Sequence, residues 1–299
     1  MTQLKVALTQ FELRAERTVD GFLAHMESLI AGAAAQSADV VVFPELASTG
    51  LLASVDDHTV TAATVADDYR HRLTGFTDTI VTGLARMAQE HDIVVIGGSH
   101  NRIAEDGSLR NTAYVVFPDG RVASQDKIHL TPPEHAMGML GGDDLLVTRI
   151  GAFTVGVLIC ADIQFPELSR ALEQRGVDLI VCPSLTWNRR GVHRVRTGCQ
   201  ARAMEMQSYV VMSPLIGHSG LPADAPLYAV GRALAAGPVD RTIGSNDGIL
   251  ALATTDKEEI VYADLDRDLL LASREDPEIP GLKLRRPDLY PKLLAAGAS

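Results

Sequence analysis

Basic residues, cysteine, aromatic side chains and long apolar runs are all scarce in this chain. Lys and Arg number 27 against 38 Asp and Glu, a formal net charge of −11. A surface of that sign repels phosphate backbones and anionic lipid, so neither nucleic acid nor a membrane is expected as a partner. Three cysteines, Cys160, Cys182 and Cys199, cannot form a paired framework in 299 residues. They read as thiols of a reducing compartment, and a cytoplasmic location is expected. No apolar run reaches the ~18 residues of a membrane span. The opening MTQLKVALTQFEL lacks the basic-then-apolar design of a secretion signal. Cys-x-x-Cys, the Walker lysine motif and G-x-G-x-x-G are all missing, so no cofactor and no nucleotide cradle are expected.

What is present is a globular composition, 46% hydrophobic and 22% charged, in a length that suits one domain over residues 1–299. Val- and Ile-rich runs bounded by Gly, Pro or Asp predict strands at 5–9, 39–43, 93–97, 113–117, 153–160, 178–182 and 209–213. Helical spacing links Leu23, Met26, Leu29, Ile30 and Ala33, then Phe76, Ile80, Leu84 and Met87, then Val192, Val195, Cys199 and Met206. Strands alternating with helices predict a layered α/β architecture. "SADVVVFPE" and "RGVDLIVCPS" each run helix, Asp, β-branched strand, Pro, which hints at two related halves packed sheet on sheet. Residues 217–247 read as loop excursions within the domain. Residues 270–299, with "RRPDLYPKLL", read as an extended tail packing on a neighbouring subunit.

Four residues stand where chemistry is expected. Cys160 ends an apolar strand and precedes a turn into a helix through Phe165, Pro166 and Glu167, with Pro suited to a first helical turn. The carboxyl end of a strand in an α/β sheet is where ligands bind. Backbone N–H groups of the following turn, that of Ala161 first, would face an oxyanion formed beside the sulfur. An ordinary thiol is only slightly ionised at neutral pH, so a nucleophile here needs a base or a cation. Glu45 follows a buried strand in "VVVFPELASTG", where a carboxylate is costly without a partner. Lys127 and Glu134 lie in "DKIHLTPPEHA", with Glu134 placed beyond two prolines expected to keep the backbone extended. Taken singly, these are as well read as a core thiol, a surface lysine and solvated acids.

Together the motifs resemble those of the nitrilase superfamily, the carbon–nitrogen hydrolases. "FPE" at 43–45, "DKIHLTPPE" at 126–134 and "CADIQFPELSR" at 160–170 occur in that family's order. "VVIGGS" at 94–99, "NTAYVVFPDGRV" at 111–122 and "RTGCQARAMEMQSYVV" at 196–211 extend the likeness. "KIHLTPPE", "RVR" at 194–196 and "RRPDLY" look like an amidase-like bacterial subgroup. The resemblance implies a four-layer α-β-β-α sandwich. It also implies Cys160 as nucleophile, Glu45 as general base, Lys127 with the Ala161 N–H as oxyanion stabiliser, and Glu134 positioning the lysine. The reaction would be hydrolysis of a linear amide through a thioester, with an N-carbamoyl amine or a nitrile as alternative substrates. Pairing into a homodimer or larger homo-oligomer is implied as well, with the stripe Val192 to Met206 expected at the seam.

Trp187, in a loop after a strand, and His193 are candidate pocket residues, and Arg194 and Arg196 could recognise a carboxylate. Three rival readings fit the residues less well. A metal-dependent enzyme built on His129, Glu134 and His135 lacks the continuous helix of H-E-x-x-H, so no metal is expected. A serine amidase at Ser99 lacks its partner motif. A binding protein of the same fold gives no reason to keep an ionisable set together.

Overall fold

A computed structural model describes residues 2–54 and 57–296. In chain order the first half comprises β1 (Gln3–Leu13), α1 (Val19–Ala35), β2 (Val40–Val42), α2 (Val65–His71), α3 (Thr77–His91), β3 (Val94–Ile103), β4 (Leu109–Val116) and β5 (Val122–Asp126). The second comprises α4 (Pro132–Ala136), β6 (Val147–Ile150), β7 (Phe153–Val157), α5 (Pro166–Gln174), β8 (Leu179–Ser184), α6 (Arg189–Met206) and β9 (Tyr209–Gly217). β10 (Leu234–Ala236), β11 (Ile249–Leu252), β12 (Glu259–Asp266), α7 (Arg267–Glu275) and α8 (Tyr290–Ala296) follow.

The halves echo each other. β1, β2 and β3 are parallel neighbours, and so are β9, β8 and β7; β4 and β6 then add antiparallel on the far sides. The strand order β5-β4-β3-β2-β1-β9-β8-β7-β6 runs through a short parallel junction of Phe11–Leu13 with Leu215–Gly217. The two sequence segments that hinted at duplication are β2 and β8, which hold equivalent places on either side of that junction. β12 pairs antiparallel with β1, and β10 with β9.

Alternation along the strands sorts side chains into layers. In β1 and β2, Val6, Leu8, Val40 and Val42 enter the core between the sheets, whereas Ala7 and Val41 face α1 and α3. On the outer side Phe22, Met26 and Ile30 of α1 and Ile80, Leu84 and Met87 of α3 complete a helical layer, while α5 and α6 cover the second sheet. The result is the expected α-β-β-α sandwich. Thr18 caps α1 by accepting from the Gly21 N–H at 3.0 Å, and Asn188 caps α6 by accepting from Gly191 at 2.9 Å.

Several expectations change. Val195, Cys199 and Met206 are almost fully buried against this chain's own sheet, so the stripe on α6 is spent inside the subunit and is not free to form a seam. Residues 270–275 belong to α7, whose Leu270 is fully buried, 290–296 are helical, and 276–289 between them run in bends and turns, so the tail is not extended. Ile279, Leu284, Leu293 and Leu294 of that tail are exposed. The 217–247 segment is loop except for β10, which joins the second sheet. No described helix is long and apolar enough to cross a membrane.

Candidate active site

Glu45, Lys127 and Cys160 each follow the end of a strand, and Glu134 lies in the short helix α4. Glu45 follows β2 in a turn held from β3: Phe43 N–H donates to Ile96 O at 2.8 Å, and Ser99 N–H to Pro44 O at 3.1 Å. Gly98 makes this approach possible. Its φ is +70°, and a Cβ there would lie 2.0 Å from Pro44 O. Ser99 is a buried residue within β3 whose Oγ accepts from the Leu46 N–H at 2.9 Å, so it shapes the glutamate turn. His100 beside it bonds Ser48 and Thr77, and burial lowers its pKa to about 4, leaving it neutral.

Lys127 follows β5, its backbone N–H donating to Asn111 O at 2.8 Å. The prolines before Glu134 do not extend the chain: they occupy the first turn of α4, where a missing N–H costs nothing. Glu134, at the third helical position, reaches back to accept from the Thr131 N–H at 2.8 Å and the Thr131 hydroxyl at 2.7 Å. Capping thus aims its carboxylate at Lys127.

Lys127 Nζ lies 2.7 Å from Glu45 Oε1 and 2.8 and 3.0 Å from the two oxygens of Glu134, all three side chains being buried. Asn111 Nδ2 donates to both carboxylates, at 3.0 Å to Glu45 and 2.8 Å to Glu134. The carboxylates are not equivalent. Glu134 collects five contacts from donors, and although burial pushes its pKa up, Lys127 and these hydrogen bonds pull it below its ordinary value. Glu45 collects three, from Lys127, Asn111 and the Leu185 N–H at 3.0 Å. Burial prevails there and raises it. The two carboxylates therefore differ in basicity, Glu45 being the stronger base. Burial disfavours the charged lysine, but its two carboxylate neighbours outweigh that and raise its pKa.

Cys160 opens a 3-10 turn, Cys160–Gln164, three residues after the end of β7, with φ +48°. A non-glycine residue in this left-handed region stores about 1–3 kcal/mol, which the surrounding contacts must hold. The buried Asp162 does so. It accepts from the backbone N–H groups of Ile159 at 3.3 Å, Ile128 at 3.3 Å and His129 at 2.7 Å, tying the cysteine turn to the lysine loop. Cys160 Sγ donates to Leu185 O at 3.3 Å and accepts from Ser184 Oγ at 3.5 Å. Leu185 therefore holds the cysteine by its carbonyl and Glu45 by its N–H. Burial, with the Glu45 carboxylate beside it, pushes the thiol up to about 12.

These groups line one end of a cavity of about 250 Å³. Ala161, Gln164 and Trp187 line it too. His193 does not: on α6 the residues facing the cavity are Gly191, Arg194 and Val195, the three-and-four spacing of one helical face, and His193 lies outside that set on an adjoining groove. Arg196 lines neither. Asn111 and Asp162 were missed as site residues. Both lie inside the quoted motifs, but their partners come from other strands. The one sequence signal was a polar group set within an apolar run, which must find bonds when buried.

The sequence profile of the family described as "Carbon-nitrogen hydrolase" matches residues 5–275. The chain belongs to the carbon–nitrogen hydrolase family. It is a hydrolase of C–N bonds, and several of its relatives carry amidase names. It is 30% identical over 288 residues to "Probable hydrolase YhcX" of Bacillus subtilis, covering 96% of this chain and 54% of that one; the chain thus spans about half the length of that relative. It is 29% identical to omega-amidase NIT2 of Mus musculus over 97% of this chain and 98% of that one. A carbon–nitrogen hydrolase structure from Helicobacter pylori G27 superposes with a TM-score of 0.81 at 20% identity, over 98% of both chains, which shows this hydrolase's fold.

Proposed function

We propose that this hydrolase converts a linear amide to a carboxylic acid and ammonia through a thioester on Cys160. The observation that carries the reading is the buried Lys127 shared by two unequal carboxylates, with Leu185 bonded to both Glu45 and Cys160. A thiol held near 12 is no nucleophile by itself, so its proton must leave as the S–C bond forms. Glu45, whose basicity burial raises, is the acceptor. Negative charge moves to the substrate oxygen, where the Lys127 ammonium and the Ala161 N–H stabilise it. The C–N bond breaks as Glu45 returns its proton to the departing nitrogen, and ammonia leaves. Water then gives a proton to Glu45 and attacks the thioester; the C–S bond breaks, the thiolate regains the proton, and the acid departs. Glu134 stays ionised throughout and keeps Lys127 charged and in place.

Relatives named as amidases agree with this choice, and a relative named nitrilase, from Pyrococcus abyssi, keeps the nitrile as the alternative. The test is ammonia release from aliphatic amides, ω-amides of dicarboxylic acids, N-carbamoyl compounds and nitriles, with Cys160→Ala alongside. Turnover of amides, lost in the variant, is expected. Substantial amide hydrolysis by purified Cys160→Ala would overturn the thioester.

A further inference from the structure

The two buried glutamates differ oxygen by oxygen. An ionised carboxylate offers about four lone-pair sites, two on each oxygen. On Glu134 all are taken. Oε1 accepts from Lys127 Nζ at 3.0 Å and Asn111 Nδ2 at 2.8 Å. Oε2 accepts from Lys127 Nζ at 2.8 Å and from the N–H and hydroxyl of Thr131 at 2.8 and 2.7 Å. On Glu45, Oε1 is filled in the same way, by Lys127 at 2.7 Å and Asn111 at 3.0 Å, whereas Oε2 accepts only from the Leu185 N–H at 3.0 Å. Among the described residues, the one acceptor site left open on the pair is therefore on Glu45 Oε2. Leu185 also accepts from Cys160 Sγ at 3.3 Å, and the thiol itself reaches the Glu45 carboxylate. Asn111 is what closes the competing sites. It is buried on β4 directly opposite Asn101 of β3, and its backbone carbonyl holds the Lys127 N–H at 2.8 Å. Its Nδ2 lies between two oxygens that accept when ionised, which fixes the orientation of the amide.

We propose that Asn111 is a positioning residue for the reaction: by filling Glu45 Oε1 together with Lys127, it leaves Oε2 as the oxygen that takes the Cys160 proton. This rests on the reading of Cys160 as the nucleophile and Glu45 as its base. Without Asn111 a site opens on Oε1, beside Lys127, and a proton held there is badly placed to pass between the sulfur and the departing nitrogen. Losing a donor to the anion also raises the basicity of Glu45. The groups acting on Glu45 leave its titration exposed to measurement. Tyr69 and Cys160 are both pushed up to about 12 by burial, the two carboxylates beside Lys127 raise it despite burial, and Glu134 is pulled down by Lys127 and its hydrogen bonds although burial opposes this. The acid limb of any reaction at Cys160 should therefore follow Glu45.

One readout needs no substrate. Iodoacetamide alkylates Cys160 as the S–C bond forms, iodide leaves and the thiol proton passes to Glu45; mass spectrometry gives the rate at that residue across pH. The second readout is kcat and KM for the best amide of the panel. Asn111→Leu keeps the size and removes the donors, Asn111→Asp keeps the shape and replaces the donors with an acceptor, and Asn111→Gln keeps the amide. In the Leu and Asp variants the acid limb of alkylation and of kcat/KM should move up by about one pH unit, with plateau kcat down about tenfold and KM changed by less than about threefold. Asn111→Gln should recover part of both effects. A residue that only filled space would tolerate Asp and leave the limb in place while the melting temperature fell. An unmoved limb in the variants that fold, or failure of all three to fold, would overturn the proposal. If the wild-type protein releases ammonia from amides and the limb does not move, the positioning role alone fails. If no amide is turned over while the alkylation limb shifts as expected, the amide reading fails and the role of Asn111 toward Glu45 stands.

Discussion

Replacing Lys127 with methionine tests the central electrostatic claim, because the side chain is nearly isosteric and what is lost is the charge with the N–H donors that carry it. Lys127 Nζ lies 2.7 Å from Glu45 and 2.8 Å from Glu134. At an effective dielectric of about 20 each contact is worth about 6 kcal/mol before desolvation is subtracted. Taking the ions out of water costs several kcal/mol apiece, and removing one member of such a buried set typically destabilises by about 3–5 kcal/mol. In a domain of this size about 2 °C accompanies each kcal/mol, so the melting temperature should fall by about 6–10 °C.

The deficit should also depend on pH in a definite sense. Without the cation both carboxylates are buried anions facing each other, and their folded-state pKa values rise above those of the unfolded chain. Groups raised in the fold cost stability as pH climbs above the ordinary carboxylate range, and acidification restores it. Scanning calorimetry of the wild-type protein and Lys127→Met at pH 5 and pH 8 should therefore show the larger gap at pH 8. Adding Glu134→Gln should cost less than the sum of the two single changes, since its charge has already lost its partner. A melting temperature unchanged by Lys127→Met, or a gap that widens at pH 5, would refute the reasoning.

Three further predictions follow from the same geometry. Burial raises Glu45, so kcat/KM should fall on the acid side at a pH above the ordinary carboxylate range. Since Cys160 is pushed up to about 12, the wild-type protein and Cys160→Ala should show the same thiolate absorbance at pH 8; an acid limb at ordinary carboxylate values, or excess thiolate in the wild type, would count against the assignment. Gly98→Ala places a Cβ against Pro44 O and should displace the Glu45 turn, lowering kcat about 100-fold if folding survives; steady-state kinetics with circular dichroism would check this, and a wild-type kcat would disprove it. Asp162→Asn puts an amide where a carboxylate accepts three backbone N–H bonds, and should cost about 1–3 kcal/mol in urea unfolding together with a loss of kcat; unchanged values would show that the cysteine turn does not rely on it.

The central strands were legible because parallel strands buried on both faces read as unbroken Val and Ile runs, as in Val40–Val42 and Leu179–Cys182. β11 and β12 were not: Ile249–Leu252 is only half-buried throughout and Glu259–Asp266 mixes charged with apolar residues, so neither reads as an unbroken apolar run, and their partners are fixed by the fold. Glu45 and Cys160 could be singled out because each is a reactive group at the end of an apolar run, and Lys127 and Glu134 through the motif "DKIHLTPPE" that they share. The order of their basicities could not, since it depends on how many donors each carboxylate collects from β4, α4 and the Leu185 backbone. His193 and Arg194 were indistinguishable until the phase of α6 was known. The prolines before Glu134 misled because Pro is equally at home in an extended segment and in a first helical turn.

The position of β1 has a consequence for how the molecule is made. This strand, the first to be synthesised, has Gln3 opposite Asp266 and Leu13 opposite Gly217. Neither partner exists until most of the chain does. The second half can assemble from nearby β-α-β pieces, whereas β1 must keep an apolar edge unpaired while they form. Contacts of such sequence separation make folding slow and leave a sticky intermediate. Shortening the chain to end before Glu259 would therefore do more than trim an edge: it would strip β1 of its longest partner and leave the N-terminal sheet open to intermolecular pairing, even though every residue at the catalytic centre would still be present.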